Sequence, residues 1–225
     1  MQARRTSLGL DTTSLWKAYE RHRYAILFYT ILTMLVASPI IDALGWPKII
    51  TEILVAACLL GAVMPQATKR TRRALFGTVM LLILLRFVAE PDEVPINFGP
   101  VLGLFALAGL LAALAILRFV VRSPDINQET IYAALGTYLL AGLFFGVLYS
   151  AIEFMQPGSI TGPDDFTEAN ATYYSFVTLA TLGYGDFLPR SELARGVATF
   201  EVIAGQLYLA VMVARLIGAF GTSRK

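Results

Sequence analysis

Apolar residues in this chain occur in long continuous runs, unlike the alternation of a half-buried strand or the one-sided stripe of a soluble helix. Six such runs, at about residues 24–44, 49–64, 74–89, 98–121, 129–154 and 192–220, are separated by segments carrying charge or proline. About 20 helical residues cross the ~30 Å hydrocarbon core of a bilayer, so each run predicts a membrane helix. The second and third are short by that measure and predict tilt or local thinning. Pro39, inside the first run, predicts a kink. The second run follows Trp46-Pro47-Lys48, and the acidic, proline-containing stretch 90–95 separates the third from the fourth.

Composition strengthens this picture. Of 225 residues, 56% are apolar and 15% charged, against roughly 25% charged in a soluble domain. The mean hydropathy of +0.65 does not suit a surface facing water. A net charge of +2 is too small to suggest nucleic acid as a partner. Cys58, the single cysteine, allows neither an intrachain disulfide nor a cysteine-based metal site. The first 23 residues are polar and basic, and the run after them is too long for a signal-peptide core and lacks a small-residue cleavage pattern; it reads as a retained anchor.

Basic residues set the expected orientation. Arg4, Arg5, Lys17, Arg21 and Arg23 precede the first run, and Lys69, Arg70, Arg72 and Arg73 lie between the second and third. Arg122 follows the fourth, and Arg224 and Lys225 close the chain. The opposite segments hold Glu90, Asp92, Glu93, Asp164, Asp165, Glu168 and Asp186, with fewer bases in Lys48 and Arg190. Both termini are therefore expected on the cytoplasmic side.

The stretch 165–186 is too polar and too short for another spanning helix, yet more ordered in pattern than a loop. Asp165 followed by Glu168 resembles a capping box, predicting a short helix that starts on the outer side and dips inward. It leads into Thr181-Leu182-Gly183-Tyr184-Gly185-Asp186. Irregular backbone at membrane depth is tolerated only where protein buries it or it lines a watery path. Rings of backbone carbonyls can replace the hydration shell of a cation, but in an ordinary strand successive carbonyls point to opposite sides. Gly183 and Gly185 can adopt positive φ without a Cβ clash, which lets neighbouring oxygens share one direction. Thr181 adds a hydroxyl at the inner end. The dipole of the dipping helix would place partial negative charge near the membrane centre, and the acidic outer segments would gather cations at the mouth.

This hexapeptide, after a short helix and between two spanning helices, resembles the signature of potassium channels, Thr-(Val, Ile or Leu)-Gly-Tyr-Gly-Asp. The resemblance covers roughly residues 128–220. It implies that the carbonyls of Thr181, Leu182, Gly183 and Tyr184 bind K+ in a selectivity filter running from Thr181 to Gly185. It also implies a homotetramer around a shared axis, with no catalysis and no cofactor besides the K+ ions. Tyr173 and Tyr174 stand where many members carry a tryptophan pair, and would support the filter together with Asp186 and Thr178. Val177 stands where some members have a glutamate that pairs with the aspartate. The chain's brevity and basic-loop pattern resemble prokaryotic members, which implies the plasma membrane of a bacterium.

Other positions carry two readings. Gly205, in the last run, is either a gating hinge or a close-packing site. Leu209, Val213 and Ile217 follow at helical spacing and either line the inner pore or face lipid. Glu201 is an ionisable group in a spanning helix, with Ser175 or Thr178 as candidate partners, and either shapes gating or fixes the helix. Arg86, Glu52 and Asp42 suggest a buried ion pair of structural role. Asn170-Ala171-Thr172 fits a glycosylation acceptor but would be inaccessible in a pore helix.

A voltage-sensing helix carries arginine at about every third position. The fourth run holds none between 98 and 117, and only Arg118 and Arg122 at its cytoplasmic end. The expected fold is thus an all-α membrane protein. A cytoplasmic segment (1–23) precedes a four-helix domain (24–122) that resembles a voltage sensor in count but lacks its charges. A pore domain of helix, pore loop and helix (128–220) and a short tail (221–225) follow. With so few residues after the last helix, no cytoplasmic ligand-binding domain is expected. The functional expectation is passive, potassium-selective conduction without steep voltage gating. A non-conducting membrane interaction module and an ion-driven potassium transporter are the alternatives.

Overall fold

The computed structural model describes residues 12–45, Gly77, 99–124 and 126–222. Five helices and two short strands follow one another in these residues: α1 (Thr12–Ala43), α2 (Gly99–Arg122), α3 (Gln128–Met155), β1 (Ile160–Thr161), α4 (Glu168–Leu179), β2 (Leu188–Pro189) and α5 (Glu192–Thr222). Among the described residues, four helical stretches are long and apolar enough to cross a membrane: His22–Ile41, Gly99–Arg122, Gln128–Met155 and Glu192–Arg215. They coincide with the first, fourth, fifth and sixth apolar runs. The second and third runs lie outside the described residues, with Cys58, Glu52, Arg86 and the basic cluster 69–73; the side chain of Asp42 does too.

Helical backbone continues through Pro39, and the break in helical dihedrals falls instead at His22, where φ is −121° and ψ is 15°. Pro39 stands four residues before the end of α1, so the amide it lacks interrupts the hydrogen-bond ladder only near the last turn. The break at His22 separates the polar N-terminal turns from the apolar stretch that follows.

Helix α3 organises the fold. Its N-terminus is capped by Asn127, whose Oδ1 accepts from Thr130 N (2.9 Å) and Thr130 Oγ1 (3.1 Å). Helix α2 packs back along α3. A stripe of small residues on α2, Gly103, Ala106, Gly109, Ala112 and Ala113, is buried there, letting the two backbones approach closely as membrane helices without a hydrophobic drive must. One core joins Tyr24, Leu27 and Ile31 of α1, Ile116 and Val120 of α2, and Leu140, Leu143 and Phe144 of α3. A second core joins Phe145, Tyr149 and Ile152 of α3 to Ile160, Tyr174, Phe187 and Ala194 of the chain that follows. The first and fourth runs therefore pack directly on α3.

Candidate functional site

The connection from α3 to α5 is a re-entrant segment whose two ends are clamped together. Ile160 pairs with Pro189 and Thr161 with Leu188 in an antiparallel two-strand ladder. The Glu153 carboxylate accepts from Gly158 N (2.6 Å) and Ile160 N (3.0 Å), fixing the turn that leaves α3. Ser159 O accepts from Arg190 N (2.7 Å) and Ser191 N (3.2 Å), and Ser191 Oγ accepts from Ala194 N (3.2 Å) to cap α5.

Within this clamp the short helix starts at Glu168, later than the Asp165 start expected from the capping-box pattern. Thr167 is the N-cap, and its hydroxyl accepts from Asn170 N (3.3 Å). Asp165 offers its backbone oxygen instead, accepting from Asn170 Nδ2 (2.7 Å). The preceding Phe166 is held by edge contacts with Tyr174 (6.0 Å) and Phe187 (5.5 Å), which sets where the helix enters.

Helix α4 runs straight into the Thr181 to Gly185 segment. The carbonyl of Thr178 accepts from Thr181 N (2.9 Å), and that of Val177 from Leu182 N (2.9 Å) and Gly183 N (3.4 Å). The backbone then alternates in hand: φ is +58° at Thr181, +55° at Gly183 and +79° at Gly185, with no positive φ at Leu182 or Tyr184. In a strand of uniform hand each peptide plane is flipped relative to the last. Reversing φ at every second residue undoes the flip and turns successive carbonyls the same way. Glycine takes these positions without steric penalty, whereas Thr181, a β-branched residue at positive φ, is an outlier that its surroundings must hold. Its amide is tied to Thr178, and its Oγ1 accepts from Gln206 Nε2 of α5 (3.4 Å). Leu182 and Tyr184 are exposed in the single chain.

The expected support residues divide. Tyr174 is buried and meets Tyr149 edge-on at 4.8 Å. Tyr173 lies edge-on against Phe187, with ring centroids 6.4 Å apart. Glu201 is completely buried between α3, α4 and α5. Of the two candidate partners, Ser175 makes the contact, with Oγ 2.5 Å from Glu201 Oε1. Tyr149 donates to Glu201 Oε2 (2.7 Å), a contact not foreseen from the sequence.

Gly205 is the point where α5 passes the end of α4: a Cβ there would stand 2.6 Å from Leu179 O. Leu209, Val213 and Ile217 are all exposed in the single chain. At about 100° per residue, Val213 and Ile217 share the stripe of Gln206, and Leu209 lies roughly 60° round toward the scaffold.

Sequence reasoning missed a regular feature of α5. Glu201, Tyr208 and Arg215 recur every seventh position on one face, and each makes a polar tie to the scaffold. Glu201 meets α3 and α4, Tyr208 donates its hydroxyl to Ala134 O, and Arg215 donates to Val120 O and to Ser123 O (2.6 Å). The signal was available, because Arg215, like Glu201, is an ionisable residue inside a spanning run.

The comparisons agree with this geometry. Residues 133–221, from within α3 to the end of α5, match the ion channel family. With four helices long and apolar enough to span a bilayer among the described residues, the chain is a multi-pass membrane protein in which residues 133–221 are similar to the ion channel family. A curated relative is the inward rectifier potassium channel Kirbac3.1 of Paramagnetospirillum magnetotacticum, 35% identical over 89 residues, which are 38% of this chain and 28% of the relative. The chain thus covers under a third of that relative's length. No solved structure matches the chain.

Proposed function

We propose that this chain is one subunit of a homotetrameric, potassium-selective channel that conducts K+ passively across the plasma membrane. The observation that carries this reading is the alternation of φ at Thr181, Gly183 and Gly185, directly after a short helix whose last carbonyls are tied to the same segment. A strip of main chain with that alternation offers carbonyl oxygens on one side, and several copies around an axis would make a ring able to replace water around a cation. The ligands are the carbonyls of Thr181, Leu182, Gly183 and Tyr184, with the Thr181 hydroxyl innermost. Potassium selectivity is inferred from the filter resemblance and from the name of the relative.

A single chain supplies one filter strand, so a closed ring needs symmetric copies. Gln206, Val213 and Ile217 would face the space below the filter, and Gly205 would sit where bending of α5 is coupled to α4. Both termini are cytoplasmic, and α2, lacking an arginine ladder, does not drive steep voltage gating. The test is rubidium uptake into liposomes holding the purified full chain under an outward potassium gradient. Uptake blocked by barium is the expected result, and uptake no greater than in empty liposomes would overturn the reading in favour of a non-conducting membrane module.

A further inference from the structure

The buried cluster behind the filter contains one contact more than its hydroxyls can supply with protons. Three oxygen pairs lie within hydrogen-bonding distance: Tyr149 Oη with Glu201 Oε2 at 2.7 Å, Ser175 Oγ with Glu201 Oε1 at 2.5 Å, and Ser175 Oγ with Gly142 O at 2.7 Å. Each pair needs a proton between its oxygens. The phenol supplies one, the serine hydroxyl supplies one, and a backbone carbonyl supplies none. If Ser175 points its proton at Glu201, its oxygen faces the Gly142 carbonyl lone pair to lone pair. If it points at Gly142, it faces Glu201 in the same way. All three contacts are satisfied together only when Glu201 itself carries the third proton.

We propose that Glu201 is a neutral carboxylic acid that donates from Oε1 to Ser175, which passes its own proton to Gly142 O, while Oε2 accepts from Tyr149. The resulting chain ties α5 to α4 and α4 to α3, so Glu201 acts as a positioning residue for the helix that carries the filter. The surroundings fit an uncharged group. Glu201 is 0% exposed, and no Lys, Arg or His among the described residues pairs with it. An isolated ionised carboxylate is poorly tolerated in such a place. The titratable groups facing it are the phenols of Tyr149, Tyr174 and Tyr138, none of which supplies positive charge. The arrangement also explains why a serine stands mid-helix in α4. Its short hydroxyl both accepts from the acid and donates across to the Gly142 carbonyl, at a point where α3 and α4 pack so closely that a Cβ on Gly142 would stand 2.6 Å from the Phe176 ring.

The role in holding the filter helix rests on the channel reading, but the protonation state does not, and the test separates them. Infrared spectra of the full chain in lipid bilayers at neutral pH should contain the carbonyl-stretch band of a protonated carboxylic acid that Glu201→Gln removes. Ser175→Ala should shift the same band to higher frequency, because the acid loses its acceptor. Glutamine keeps one donor and one acceptor, so Glu201→Gln should retain rubidium uptake, whereas Glu201→Ala should lose it. Identical carboxylic-acid bands in wild type and Glu201→Gln, with the difference appearing in the carboxylate region, would overturn the proposal whatever the flux. A protonated band in a protein that conducts no ion would leave the neutral acid standing and sink the channel reading instead.

Discussion

The two ends of α5 hold to the scaffold by opposite means. At the filter end, Glu201 is fully enclosed and bonded by side chains of two helices, Tyr149 of α3 and Ser175 of α4. About four turns on, Arg215 is only partly buried and grips backbone oxygens of Val120 and Ser123, at the C-terminal end of α2. The first tie sits where water is excluded, and losing one partner leaves a buried polar group unmet, at a cost of about 1–3 kcal/mol. The second is a cation at the negative end of a helix dipole, worth roughly 0.3–1 kcal/mol when exposed to solvent. Rigidity is thereby concentrated next to the filter, and the far end of α5 is held by a weaker contact that can be exchanged.

Substitutions at the two ends should separate accordingly. The largest effect is expected at the filter itself. Gly183→Ala forces a Cβ into a residue at φ +55°, a cost of roughly 1–2 kcal/mol in each copy. Preference for potassium over sodium should then fall by about tenfold or more, since ~1.4 kcal/mol is a factor of ten. Bi-ionic reversal potentials would measure this; an unchanged ratio would remove the glycine from the account.

Gly205→Val should be next, because its Cβ would stand 2.6 Å from Leu179 O and overpacking of this kind costs about 1–3 kcal/mol. Reduced yield of assembled protein, read by size-exclusion chromatography, is the expected outcome. Tyr149→Phe deletes one donor to Glu201 and should lower the melting temperature in detergent by an amount matching about 1–3 kcal/mol, with ion preference kept. Arg215→Gln should be milder in stability but should alter the fraction of time open in single-channel records. If Arg215→Gln destabilised the protein more than Tyr149→Phe, the contrast between the two ends would be reversed. The smallest effect is expected for Arg118→Gln with Arg122→Gln, which should leave the conductance–voltage relation unchanged; a clear shift would show that these arginines sense the field after all.

The spanning helices among the described residues were legible because each is a continuous apolar run with charge at its ends, and their limits fall within a residue or two of expectation outside the polar N-terminal turns of α1. The start of α4 was harder to read. Asp165 and Thr167 are both good caps, and aromatic packing of Phe166 against Tyr174 and Phe187, which no local pattern announces, decides for Thr167. The same holds for the partner of Glu201. Ser175 and Thr178 were both candidates, but Tyr149 comes from another helix 52 residues away, a contact that only the tertiary packing brings about. The positive φ of Thr181 was also invisible, since a β-branched residue is the last that local preference would place there. Residues 133–221 match a family of ion channels, but the alternation of backbone hand along the filter is a matter of geometry that the sequence only permits.

The central claim is that the Thr181 to Gly185 strand discriminates between ions of equal charge. The most direct test is the reversal potential of the purified full chain in a planar bilayer, with potassium on one side and an equal concentration of sodium on the other. The account predicts a large reversal potential of the sign set by potassium flowing down its gradient, lost in Gly183→Ala. A reversal potential near zero for the wild-type chain, with current still flowing, would contradict it.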